Sequence, residues 1–428
     1  MGNFYMNSFN LILAFRFLVL PTFVLAYFCL PSPLEAGDWP QILGPNRNGV
    51  ASNELLAPTW PSTGPPQMWE QPIGSGYAGP AVSGKSVILF HRVGNLERLE
   101  ARHVANGKRQ WNIEFDVHYQ CAVNEDSGPR CVPMIDGELV FGLGAAGNLY
   151  CVDFGSGKHL WTRNLYEDYN GDEGYFGAGS TPIVVDDKIL INVGGRQGAG
   201  LVALNKWSGK TIWKATDQKA SYSSPVLISL NGQLFVLFLT RLELLLVDPN
   251  NGSVHARVPF GKLGPTVNAA LPLVFDNHVF LTASYGIGTV VAQCQQDNMQ
   301  VIWQANDAIS SQYNSCVFHD GHIFGIHGRE DAGLAQLRCI GADRGKVRWT
   351  QTGFGVSHLI LADNGILAIT SRGELVMFET NSQAYREIQR ARIFQSTTRA
   401  LPALANGQLF VRSNEIQRSK LRVFRVGM

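Results

Sequence analysis

The chain has 428 residues and a formal net charge of +1, which excludes a protein that lives by phosphate contacts with nucleic acid. Its 45 glycines suit a fold with many tight turns. The length exceeds that of an ordinary single domain, yet a ring of repeats needs no second core.

Residues 1–36 read as a secretory signal peptide. Positions 11–30 are mostly aliphatic and aromatic, interrupted by Arg16 and Pro21, and 31–36 end at Ala36 in the manner of a cleavage site. An uncleaved anchor is the alternative, and Cys29, preceded by Phe28, does not match a lipid-attachment site. No later stretch is apolar enough to span a bilayer. Residues 37–66 are rich in Pro, Gly and Asn and carry too few apolar residues for a core. They are expected to form an extended arm along the rim of the domain that follows, anchored by Trp39.

Residues 67–428 are built from one recurring pattern. In 151–161 an apolar pair leads into Asp153, a Ser-Gly-Lys turn follows, and Trp161 closes the motif. Glycine supplies the positive φ of a tight hairpin, and the aspartate bonds the turn's backbone. Copies close at Trp111, Trp213 and Trp349, with weaker ones at Trp303, Ala256 and Glu387, so the endpoints lie 38–52 residues apart. That is a propeller-blade period, and each interval reads as four strands. Eight lead-ins of small residues or proline precede the first strands, beginning at Gly79, Cys131, Thr181, Ser224, Leu271, Ser315, Ser357 and Leu401. The last unit has only three strands, whereas 67–73 carries Trp69 with no three strands before it. Joining these ends predicts an all-β, eight-bladed β-propeller of four-stranded antiparallel blades, the last closed by an N-terminal strand. Seven blades is the alternative if 375–388 is not a full hairpin.

A tryptophan once per blade suits structural docking: Trp69, Trp111, Trp161, Trp213, Trp303 and Trp349 are each expected to wedge between neighbouring sheets. Each is worth about 4 to 6 kcal/mol of burial as an upper bound. Where Ala256 and Glu387 take that place, the ring is expected to be looser. Cys121 and Cys131 flank a polar loop and are a candidate disulfide in an exported protein, with free thiols as the alternative. Cys151 and Cys339 share one strand position and read as buried free thiols.

The Asp153 to Trp161 pattern, with Asn205 for Asp in the copy ending at Trp213, resembles the repeat of the pyrroloquinoline-quinone-like (quinoprotein-like, BamB-like) β-propellers. The likeness covers about 67–427, and the Trp39 to Val50 stretch resembles a signature of secreted bacterial members. The resemblance implies a superfamily that holds both quinone-dependent alcohol and sugar dehydrogenases and non-enzymatic assembly propellers. A dehydrogenase of this kind implies a quinone over a calcium ion, a carboxylate base and, in the alcohol enzymes, an adjacent-cysteine disulfide. The chain has no Cys-Cys pair. Acidic loops at 125–126 and 168–174 read as solvated turns, with calcium as the lesser alternative because the EF-hand spacing is absent. No catalytic residue, cofactor or metal is therefore expected; quinone and calcium belong to the oxidoreductase alternative alone.

A basic residue recurs in the loop between the second and third strands of six units: Arg92, Arg196, Arg241, Arg329, Arg372 and Arg412, with His91 and His327 alongside. Those loops share a face with the inter-blade connections that carry Tyr119, Tyr169 and Tyr175. The expectation is an arginine ring with an aromatic, acidic lip, suited to a protein or an anionic glycan. Against it, Glu243, Glu330 and Glu374 stand close enough in sequence to neutralise several arginines. The functional expectation is an exported, periplasmic or secreted, monomeric scaffold. A lyase-like cluster of His118, Tyr119, Tyr169 and Arg196 is a third possibility.

Overall fold

The computed structural model describes residues 1–3, 37–333 and 335–428. Contacts divide the chain into 1–34 and a unit from Glu35 to Met428, and only the second is described below. The expected signal, with Arg16, Pro21 and Cys29, lies outside the described residues but for its first three. Among the described residues no helix is long and apolar enough to cross a membrane.

Seven antiparallel meanders follow one another at 81–116, 134–164, 183–215, 226–259, 273–305, 317–351 and 357–392, and three further strands occupy 403–425. The fourth strand of that last sheet is Gln67–Pro72, paired antiparallel with Lys420–Arg425 so that Trp69 faces Val423 and Pro72 faces Lys420. Glu374–Phe378 pairs fully with Glu387–Arg392, which makes the seventh blade complete and the count eight. The short first strand of each blade lies innermost. Ala81–Ser83 touches both Met134–Asp136 and Ala403–Ala405, closing the circle.

The repeated motif explains the seams between blades. Asp153 accepts the Ser156 amide at 2.8 Å, and Gly157, at φ 71°, turns the chain back. An irregularity in register just before Trp161 leaves Leu160 exposed and sends the indole inward. Each indole then meets the turn of the following blade. Trp69, Trp111, Trp161, Trp213, Trp303 and Trp349 donate their Nε1–H to the carbonyls of Val104, Phe154, Lys206, Pro249, Ala342 and Asn381 at 2.7–3.0 Å. A Cβ on Gly107, Gly157, Gly209, Gly252 or Gly345 would sit within 3.0 Å of the indole of the preceding blade. The turn glycine is therefore required twice, by its backbone and by the ring packed on it.

Both seams expected to be looser depart from that expectation. Between blades 4 and 5, with Ala256 at the tryptophan position, the outermost strands Val254–Pro259 and Asn298–Ala305 approach each other directly. The fifth blade turns through a two-residue hairpin without glycine, and His255 Nδ1 lies 2.8 Å from Asp297. A hollow of 520 Å³ lies at the turn end. In blade 7 the tryptophan position is Gln389, opposite Met377, rather than Glu387. Its side-chain amide bonds both the N–H and the carbonyl of Trp60 at 2.6 Å, and Trp60 joins the core of blades 7, 8 and 1. The arm thus supplies the indole that the repeat lacks.

The arm does not follow the rim. It enters the central channel from the face that carries the turns between first and second strands, here called the turn face. Asp38 accepts from Ser83 Oγ and the Gly84 amide, Val50–Ala51 pairs in parallel with Leu361 and Ala362, and Glu54 accepts the Asn406 and Gly407 amides. Trp39 is the anchor, 1% exposed and bridged to Val82 on an innermost strand. At the deepest point Arg47, 2% exposed, donates to the carbonyls of Thr181, Pro182 and Pro225 on the lead-ins to blades 3 and 4. The channel wall there presents backbone carbonyls rather than apolar side chains. A polar segment with one guanidinium fills it, whereas an apolar one would leave those carbonyls orphaned.

The expected disulfide is absent, and Cys121 and Cys131 are free. Each sulfur contacts a different carbonyl of the next connection, Cys121 that of Tyr175 and Cys131 that of Ala178. Cys151 and Cys339 are buried free thiols, with burial pushing both up to about 12.

Candidate ligand-binding face

The opposite face carries the inter-blade connections and the loops between second and third strands. Here each lead-in passes from the outer strand of one blade to the inner strand of the next. The residue four positions before the inner strand is Tyr77, Arg130, Tyr222, Tyr313 or Arg399 in blades 1, 2, 4, 6 and 8. Neighbouring lead-ins are stitched together through backbone: Pro129 accepts from Tyr77 and Ala78, and Asn268 from Tyr222 and Ser223, at 2.8–3.1 Å.

These side chains converge over the axis. The Arg130 guanidinium lies 5.6 Å from the centre of the Tyr77 ring and 5.8 Å from that of Tyr119. Glu330, from blade 6, is 3.1 Å from Arg399 and accepts the Tyr313 hydroxyl at 3.1 Å, reaching past blade 7. Burial, reinforced by Glu330, raises the Tyr313 phenol above its usual value. Asp126, 4% exposed, accepts the Gly76 and Gly128 amides at 2.9 and 2.8 Å. The signal for this group in the sequence is the column four residues before each inner strand, whereas the recurring arginines lie one loop further out.

Beside the mouth, the connections leaving blades 2, 3 and 4 enclose a cavity of about 390 Å³. The helix Leu165–Tyr169, capped by Asn164, places the Tyr166 ring against Gly147 and Gly171. Tyr222 accepts the amides of Tyr175 and Phe176 at 2.9 Å each, which leaves its own hydroxyl proton free. Asn268, 0% exposed, is fixed by its amide nitrogen, which donates to the carbonyls of Thr240, Arg241 and Phe260 at 3.1–3.4 Å. Its Oδ1 has no partner, and neither does Oδ1 of Asn192, whose Nδ2 faces the Leu239 carbonyl. Arg241 donates Nη2–H to the Gly264 carbonyl at 2.9 Å, while its buried Nη1 has none. Lys219, Asp172, Glu173 and Tyr175 stand exposed at the opening.

The six loop arginines do not form one ring. Arg412 is 1% exposed and staples Ala78 and Gly74 by their carbonyls. Arg92 is bound to the carbonyls of Gly94, Tyr119 and Ser127. Arg329 pairs with Asp331 over the Tyr285 ring. Arg241 enters the cavity, and only Arg196 and Arg372 stand exposed. The carboxylates expected to neutralise this set take other partners: Glu243 pairs with Arg257, Glu374 with Arg390 and Arg392, and Glu330 with Arg399.

Of the remaining candidates, His91 is 1% exposed and faces Glu100 at 3.2 Å. Burial lowers the His91 pKa and keeps the ring neutral, so the contact is a hydrogen bond. Glu100 is desolvated too, but this contact with His91 and the Arg102 guanidinium outweigh the burial, and its carboxyl falls to about 2. His327 is half-buried, Tyr119 and Tyr169 are buried, and Tyr175 is 47% exposed. The His118, Tyr119, Tyr169, Arg196 cluster does not assemble, because the Tyr169 hydroxyl is spent on Thr211 at 2.6 Å and His118 and Arg196 line separate hollows.

A family model described as outer membrane protein assembly factor BamB matches residues 105–351. The chain belongs to that family of propellers. No curated protein matches the chain. Solved structures share the fold of this BamB-family chain. BamB from Moraxella catarrhalis is 15% identical, with 83% of this chain and 97% of that one covered and a TM-score of 0.59. A europium-containing methanol dehydrogenase is 10% identical, with 92% and 98% covered and a TM-score of 0.69. The quinohemoprotein alcohol dehydrogenase from Comamonas testosteroni is 12% identical, with 91% and 80% covered and a TM-score of 0.52. At these identities the likeness is one of fold.

Proposed function

We infer that this BamB-family propeller is an exported, non-catalytic binding scaffold that engages its partner through the connection face. The observation that carries the reading is an asymmetry. The chain's own arm occupies the turn face and the channel, while the connection face keeps an open cavity with Asp172, Glu173, Tyr175 and Lys219 exposed at its rim. Export is in keeping with the signal read in 1–36 and with the family.

An oxidoreductase reading would need carboxylates open to a calcium ion. The carboxylates near the mouth do not fit a cation site, for Asp126 is held by two amides and Glu330 by Tyr313 and Arg399. Capture from an envelope fraction tests the scaffold reading. Wild type and a turn-face variant, Asp187→Ala, retain the same partner, whereas a connection-face variant, Tyr175→Ala with Lys219→Glu, loses it. Equal capture by all three overturns the reading, as does dye-coupled alcohol or sugar oxidation after loading with quinone and calcium.

A further inference from the structure

A second hollow, of about 960 Å³, runs along the outside of the seam between blades 8 and 1. One wall is the outermost strand of blade 8 at Gln71 and Pro72, and the other is the outer part of blade 1. It extends from His118 and Gln120 on the connection face to Arg109 near the turns, so the strand Arg109–Asp116 spans it, roughly 25 Å at the usual rise per residue. Its charges do not cancel. Arg92, Arg98, Arg102 and Arg109 all line it. Glu100, fully buried, is shared by Arg102 at 2.8 Å and Arg109 at 3.1 Å, and Glu114 on the next strand pairs with Arg98. Arg92 is held by carbonyl oxygens and by no carboxylate. Four guanidiniums thus meet two carboxylates, and the third acid here, Glu125, stands exposed at the connection end.

Two of these guanidiniums keep donors that reach solvent. Among the described residues Arg98 Nη1 and Arg109 Nη2 have no acceptor, and the two side chains are 20% and 46% exposed. Glu114 and Glu100 already hold both forks, so an incoming carboxylate costs little further ordering of either side chain. Val93 and Ile416 add exposed aliphatic surface to the same hollow.

We propose that this groove binds an extended acidic peptide segment of a protein partner, with carboxylates on Arg98 and Arg109 and an aliphatic side chain against Val93 and Ile416. It is a second contact surface, which shares no lining residue with the cavity between the connections of blades 2, 3 and 4. An extended chain presents every second side chain to the groove, and about seven residues cover its length. A single small anion would use one fork and leave the other in water. A glycan polyanion would want an aromatic platform for its ring faces, whereas the phenol of the lining, Tyr119, is buried. Arginines beside exposed aliphatic side chains suit a peptide.

Fluorescence anisotropy of the full chain with a labelled Glu-Leu-Glu-Ser-Glu-Leu-Glu peptide tests this, against the same peptide with Gln for Glu. Saturable binding that weakens as salt rises is expected, about tenfold or more tighter for the acidic peptide. Arg98→Ala with Arg109→Ala lowers that affinity by about tenfold. Should the double variant fold poorly by circular dichroism because Glu100 loses a partner, Arg98→Ala alone serves and weakens binding about three- to fivefold. No binding, equal affinity for the glutamine peptide, or variants that bind like wild type would each overturn the assignment. Tighter binding of an oligogalacturonate of equal charge would overturn it too, by making the groove a glycan site. Tyr175→Ala with Lys219→Glu, at the other cavity, leaves peptide binding unchanged; a loss there would place the peptide at that cavity and sink the assignment.

Discussion

The two faces of the disc differ in what covers them. On the turn face Asp38 and Glu54 of the arm bond the backbone of the blades they touch, and from there the arm runs into the channel, where Arg47 reaches the carbonyls of the lead-ins. On the connection face the cavity between the connections of blades 2, 3 and 4 stays open. Buried polar atoms without a partner occur beside both, at His278 and Gln408 by the turns and at Asn192 and Asn268 by the connections, so the difference lies in the covering and not in the repeat. The comparison teaches that function in a repeat fold is sought on the face that the chain leaves uncovered.

The sharpest way to break the comparison is Arg47→Ala. Three lead-in carbonyls lose their donor at a buried position, and a loss of about 4 kcal/mol in stability is expected. Arg241→Ala, by contrast, removes a buried group that is only half satisfied, and less than about 1 kcal/mol is expected. Urea unfolding of both variants checks the pair. Equal losses would mean that the channel filled by the arm and the open connection face do not differ in this respect.

Somewhat smaller is a pH effect seated between them. His358, 4% exposed, donates Nε2–H to the Arg399 carbonyl at 2.8 Å, and Nδ1 faces the Asn314 amide at 3.3 Å, so the neutral ring suits both contacts. Burial pulls its pKa down to about 4 from 6.5. The unfolded chain therefore takes up a proton that the folded one refuses between those values. Stability is intact above pH 6.5 and falls towards pH 4 by roughly 3 kcal/mol. Glu97, which burial pushes up to about 7, acts in the opposite sense over pH 4.5 to 7. The His358 share is therefore read as the difference between wild type and His358→Gln, whose pH slopes would otherwise coincide.

How far the sequence could be read follows from what each feature obeys. Closure by 67–72, the count of blades and the docking of six tryptophans follow from a period and a turn, both written in the residues. The arm's place in the channel was not legible, because Pro, Gly and Asn signal irregular backbone without saying whether its surroundings are water or carbonyls. Ala256 and Gln389 show the same limit: a missing tryptophan is visible in the repeat, but Trp60 arriving from another segment is not. The site suffered most. Six arginines in one loop column suggested a ring, yet Arg412 lies inside the wall and Arg92 is tied to three carbonyls. Solvent exposure is decided by loop length and neighbour packing, which the column alone does not encode.

A third prediction concerns the repeat itself. In Gly209→Ala the new Cβ would lie 2.9 Å from the Trp161 ring on a backbone at φ 68°. A loss of about 2 kcal/mol is expected, measured by thermal or urea unfolding. Asp297→Ala, in the glycine-free hairpin of blade 5, removes one exposed contact to His255 and is expected to cost less than about 1 kcal/mol. If the two cost the same, the indole is not what makes the turn glycine necessary.

The smallest effect bears most directly on which part of the connection face matters. Arg196 and Arg372 are both exposed, and neither side chain donates to a protein group in the folded chain. Replacing both with alanine is expected to move stability by less than about 0.5 kcal/mol. If recognition runs through the cavity, partner capture is also unchanged at ordinary ionic strength, because exposed charges outside a contact act mainly through a screened, long-range field. Loss of capture in this double variant, with the fold intact, would shift the binding surface outward to the loop arginines and away from the cavity. The experiment thus sets two parts of one face against each other, one whose charges are already hydrated and one whose concave, partly aromatic surface sheds its water on binding, and the physical expectation favours the second.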